Sequence, residues 1–135
     1  MARSDSSEIA RRIEALYGAP LGDLSAWAQD QPPGLLSALL SMHTRLAGAE
    51  STIAGSRERL TELLAHGRSL GSADVAQVLA WSRRLADAVA LREGLSPSLT
   101  SVLGSLTRVQ EASTPPPALP APAPPLAANA TPPAR

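Results

Sequence analysis

The sequence predicts an all-α protein: an elongated helical hairpin or coiled coil with short flanking helices and a disordered, Pro-rich C-terminal tail. Three observations carry that expectation. Leucine-rich heptads run through the middle of the chain. Aromatic residues are confined to Tyr17, Trp27 and Trp81, so burial has to come from Leu, Val, Ile and Ala, which suits helix-on-helix packing better than a sandwich or barrel. Residues 113–135 hold nine of the 13 prolines and cannot build a core, which predicts an extended tail of polyproline character. The expected organisation is therefore short helices over residues 1–33, a helical hairpin or coiled-coil interaction domain over 34–112, and the Pro/Ala-rich tail over 113–135.

Taken in order, Ser6 or Ser7 is the expected N-cap of a first helix from Glu8 to about Leu16. Its apolar face is Ile9, Ile13, Leu16 and Tyr17, and Gly18 with Pro20 closes it. A second short helical turn passes through Leu21, Leu24 and Trp27 before the breaker at Gln31–Gly34. From Leu35 to about Gly67 a heptad takes over. Its a positions are Leu39, Leu46, Ile53, Leu60 and Gly67; its d positions are Leu35, Met42, Ala49, Ser56, Leu63 and Leu70. Four consecutive apolar a positions mark a helix that seeks a partner helix. Small Ala49 and Ser56, flanked by Gly48 and Gly55, make its middle slim and intrinsically weak, each Gly costing about 1 kcal/mol relative to Ala.

Next comes a helix capped by Ser72, with Asp74 in its first turn and Gly94 as its stop. Its expected apolar face is Val75, Val78, Leu79, Ser82, Leu85, Ala86 and Val89, with Trp81 at the edge of that stripe and available to a neighbour. Ser96 and Pro97 open a last helix, carried to about Glu111 by Leu99, Val102, Leu103, Leu106 and Val109.

Composition excludes most chemistry. Twelve arginines balance twelve acidic residues and there is no lysine, so no excess positive field exists to hold a phosphate backbone. Direct nucleic-acid binding is not expected. Cysteine is absent, which removes disulfides, thiolate metal sites and thiol nucleophiles. His43 and His66, the only imidazoles, are too few and too far apart for a metal site, and no Gly-x-Ser-x-Gly elbow is present. No window reaches ~18 apolar residues, and the N-terminus has neither a signal-peptide run nor the acid-poor character of a transit peptide. The expected protein is a non-enzyme with no cofactor, no metal, no membrane association and no small-molecule substrate.

Two Leu-x-x-Leu-Leu boxes, Leu36–Leu40 and Leu60–Leu64, match a helical docking ligand, but Leu39, Leu60 and Leu63 already occupy a and d positions, so the boxes are better read as packing residues. Arg57, Glu58, Arg59 and Glu62 form a solvated, ion-paired helix face. The seam then supplies the candidate partner-binding residues: Leu39, Met42, Leu46, Ile53, Leu60, Leu63 and Trp81.

The order of elements adds a resemblance. A long heptad helix, a short turn, and then Ser72-Ala73-Asp74-Val75 opening a helix that continues Val78-Leu79-Ala80-Trp81-Ser82-Arg83-Arg84-Leu85 is similar to the Mediator complex subunit 4 family, over about residues 35–92. In that family a coiled coil precedes a segment of acid, small apolar residues, Leu or Ile, Ala, aromatic, small residue, basic residue and Ile or Leu. Here Asp74, Val75, Val78, Leu79, Ala80, Trp81, Ser82, Arg83 or Arg84, and Leu85 hold those places. The resemblance implies a nuclear, non-catalytic scaffold subunit of the Mediator middle module, a coregulator of RNA polymerase II transcription pairing with another helical subunit similar to subunit 9. Two alternatives share the helical order: a cytoplasmic subunit of a cytoskeletal or trafficking complex resembling the small shoulder subunit of dynactin, and a bacterial helical chaperone or secretion component.

Overall fold

The computed structural model describes residues 4–65 and 67–114; His66 and the expected Pro-rich tail beyond Thr114 lie outside the described residues. The chain is all-α, with four helices among the described residues: α1 (Ser6–Tyr17), α2 (Leu21–Gln29), α3 (Leu35–Leu63) and α4 (Ser72–Ser113). The long helices α3 and α4 pack against each other as a hairpin.

Each start is set by a specific hydrogen bond. The N-cap of α1 is Asp5, whose carboxylate accepts the Glu8 N–H at 2.8 Å, not Ser6 or Ser7. Ser6 is committed elsewhere: its backbone N–H donates to Glu50 Oε1 at 3.0 Å, its hydroxyl donates to Glu50 Oε2, and its carbonyl lies 3.0 Å from His43 Nε2. Gly18, with φ of 71°, ends α1 in the left-handed region that glycine adopts without a Cβ penalty. Pro20 offers no side-chain cap to α2, and the Glu14 carboxylate supplies one by accepting the Leu21 N–H at 2.8 Å. At the start of α3 the Ser37 hydroxyl accepts the Gly34 N–H, and at the start of α4 the Asp74 carboxylate accepts the Gly71 N–H at 3.0 Å. The cap of α4 is thus Gly71, one residue before the expected Ser72.

One break placed by the sequence does not exist. Gly94 and Ser96-Pro97 predict a stop and a restart, yet α4 runs through both for 42 residues, about 63 Å at ~1.5 Å per residue. Proline inside a helix costs roughly 3 kcal/mol because it removes a backbone donor and crowds the preceding turn. Burial on both sides of it offsets that cost: Leu95, Leu99 and Leu103 are all buried, each contributing about 1.5–3 kcal/mol. The Ser98 hydroxyl also donates to the Gly94 carbonyl at 2.8 Å, serving an acceptor in the disturbed turn.

The N-terminal helices fold back onto the hairpin. Ser96 Oγ donates to the Ser4 carbonyl at 2.6 Å, and Gln110 Nε2 donates to the Leu16 carbonyl at 3.2 Å, so α1 runs beside α4 in the same direction. Ser6 meets Glu50 and His43 at one end of α1, while Tyr17 lines a surface recess with Leu35 and Leu36 at the other, so α1 runs antiparallel to α3. The result is two different halves. Near the chain ends, α1, the first half of α3 and the second half of α4 form a three-helix bundle, closed by α2, with a core of Ile9, Ile13, Leu24, Leu36, Leu39, Leu40, Leu46, Leu95, Leu99 and Leu103. Beyond it, α3 from about Ser51 and α4 up to about Leu91 continue as a two-helix arm.

Candidate functional site

Six of the seven seam residues share one face of α3, and that face is turned toward α4 of the same chain, the helix that carries the seventh, Trp81. Leu39, Leu46, Ile53 and Leu63 are buried, and Met42, Leu60 and Trp81 are half-buried. Leu39 and Leu46 share a core with Leu95, Leu99 and Leu103 of α4. The heptad therefore finds its partner helix within the chain. The first Leu-x-x-Leu-Leu box is likewise packing material, since Leu36, Leu39 and Leu40 are all buried.

On α4 the inward row is Val78, Trp81, Leu85, Ala88, Arg92, Leu95, Leu99, Val102 and Leu106, every one buried or half-buried. These positions alternate three and four residues apart, the repeat of a helix that stays against one neighbour along its length. The face expected from the sequence shares Val78 and Leu85 with this row but otherwise departs from it. Val75 and Leu79 are 49% and 55% exposed, Ser82 and Ala86 are exposed, and Trp81, placed at an edge by the sequence, belongs to the seam. The Arg84 guanidinium carbon sits 5.3 Å from the centroid of the Trp81 ring and covers its outer side.

The slim middle of α3 is matched where the arm leaves the bundle. Ala49 and Ala88 are both buried and line the same recess. The antiparallel register that brings them level also brings Ser56, seven residues on in α3, level with Trp81, seven residues back in α4. Ser56 is a small residue at a buried seam position. Its hydroxyl is fully buried and has no hydrogen-bond partner.

The exposed large apolar side chains among the described residues fall into two groups at opposite ends of the molecule. Leu64, Leu70, Val75 and Leu79 surround the arm's bend, and Tyr17, Trp27, Leu35 and Val109 lie at the base of the bundle. Sequence reasoning missed the first group because it assigned Val75 and Leu79 to the packed stripe. The signal that separates them is the three-four row through Val78, Trp81 and Leu85, which leaves Val75 and Leu79 outside it. At the bend Arg68 and Asp74 are paired at 2.9 Å. The Gly71 N–H, and then the Arg68 guanidinium, hold the Asp74 carboxyl below its ordinary value because both bind the charged form.

Among the described residues no group of three or more His, Cys, Asp or Glu side chains could hold a metal ion, and no helix is long and apolar enough to cross a membrane. The fold and its surface define a small helical bundle with a projecting two-helix arm, whose apolar display is concentrated at the arm tip and the bundle base. Compared with protein-family models, curated proteins and solved structures, the chain matches none.

Proposed function

We propose that this chain is a non-catalytic helical scaffold subunit of a multiprotein complex, and that it engages an amphipathic helix of another subunit through the tip of the α3/α4 arm. The observation that carries the proposal is the exposure of Leu64, Leu70, Val75 and Leu79 around one bend, on an arm that lies outside the main core. Clustered apolar side chains in water mark interaction surfaces, and Val75 with Leu79, four residues apart on one helix, present the ridge that a partner helix packs against. Because the heptad seam is occupied within the chain, the proposed contact moves from Leu39, Met42, Leu46, Ile53, Leu60, Leu63 and Trp81 to the arm tip.

In its specific form the proposal is a nuclear subunit of a Mediator middle module, acting with RNA polymerase II. What supports that form is the run from Asp74 to Leu85 behind a long heptad helix. Affinity purification from the native organism, read by mass spectrometry, tests both levels. Wild-type chain should recover Mediator subunits and RNA polymerase II, and a chain carrying Leu70→Asp with Leu79→Asp should lose them while remaining folded. Unchanged recovery by the double variant overturns the arm-tip contact; recovery of actin-related or secretion components overturns the Mediator form.

A further inference from the structure

We infer that the aromatic recess at the base of the bundle holds the chain's own proline-rich tail, residues 115–135. Three features of the molecule meet there. Tyr17 and Trp27, two of only three aromatic residues in the chain, line one recess with Pro32 and Leu35, and Trp27 is 57% exposed. An adjoining groove is lined by Tyr17, Leu16, Val109 and Ser113, so the last turn of α4 delivers the chain onto the same surface. The next residue after Thr114 is Pro115, and the stretch that follows, PPPALPAPAPPL, is rich in the residue that such surfaces recognise.

The chemistry fits on both sides. A proline-rich segment in the polyproline II form loses little conformational freedom on docking, and it is read by grooves walled with aromatic rings, into which proline rings insert. Its backbone carbonyls have no internal partners and accept hydrogen bonds. Tyr17 Oη–H and the Trp27 indole N–H are the donors that the aromatic rings bring to this recess. Reach is not limiting, because Ser113 and Tyr17 border the same groove and the tail extends ~3.1 Å per residue in this form. Docking in cis also has the advantage of high effective concentration, on the order of millimolar for short tethers. This site is independent of the proposed contact at the arm tip.

The absence of cysteine makes the test clean. A spin label on the full chain carrying Ala121→Cys should broaden the nuclear magnetic resonance signals of the Trp27 indole and the Tyr17 ring strongly, while leaving the Trp81 indole on the arm sharp. Replacing Trp27 with Ala should weaken the broadening at Tyr17, and so should replacing the prolines between 115 and 125 with serine. Equal, weak broadening at Trp27 and Trp81 would overturn the inference, as would broadening that occurs only between labelled and unlabelled copies, which assigns the groove to another chain's tail. Insensitivity of the Tyr17 broadening to both the Trp27 and the proline replacements would also overturn it.

Discussion

Ser96 donates its hydroxyl to the main-chain carbonyl of Ser4 at 2.6 Å, joining residues 92 positions apart. Ser96 is 2% exposed, so this bond ties the N-terminal segment to α4 at the residue before Pro97. Ser96→Ala leaves the Ser4 carbonyl without that donor and is expected to lower stability by about 1 kcal/mol in a denaturant titration. No change in midpoint would mean that the N-terminus is not held there.

Leu99 and Leu79 distinguish the packed row of α4 from the stripe that the sequence favours. Leu99→Ala removes a fully buried side chain from the bundle core and should destabilise by about 2–5 kcal/mol. Leu79→Ala, at an exposed site, should change stability by no more than ~0.5 kcal/mol. The reverse order in thermal or denaturant melts would restore the stripe through Val75 and Leu79.

Ser56 yields a prediction of opposite sign. Its buried hydroxyl lacks a partner, and a buried polar atom without one destabilises the fold. Ser56→Ala keeps the small volume at this buried position and should be neutral or raise stability by up to ~1 kcal/mol. A loss of 1 kcal/mol or more would show that the hydroxyl is bonded.

Asp74 makes the bend sensitive to acid. Its carboxyl is held below the ordinary value of 3.8 in the folded chain, so its contribution is fully present above the unfolded value and is lost as pH falls through the lower folded one. The stability difference between wild type and Asp74→Asn should therefore be constant above about pH 5 and shrink below about pH 4. A difference that persists unchanged to pH 2 would contradict the hydrogen bonds from Gly71 and Arg68.

Much of α3 was legible because the middle of its heptad is regular: Leu39, Leu46, Ala49, Ile53, Ser56 and Leu63 are all buried as their positions require, whereas the d positions at its ends, Leu35 and Leu70, are exposed and the helix stops at Leu63, short of the expected Gly67. α4 was harder for two physical reasons. Gly94 and Pro97 carry strong local stop signals, and burial of Leu95, Leu99 and Leu103 overrides them. Reading the helix in 3.6-residue steps from Val75 also rotates its face off the true row, which keeps a 3.5-residue beat from Val78 to Leu106. The site followed the same pattern. A heptad states that a helix needs a neighbour but not whose, so the seam residues were legible as contacts and illegible as contacts within the chain. Asp5 was missed as a cap because two serines stand beside it, and only the fold shows Ser6 bound to Glu50.

Thermal melting of the purified full chain, followed by circular dichroism over a hundredfold range of concentration, tests most directly whether the chain completes its own seam. A self-contained bundle and arm predicts a highly helical chain whose melting midpoint does not move with concentration. A weakly helical chain, or a midpoint that climbs as concentration rises, would contradict it and return the seam of α3 to a separate partner.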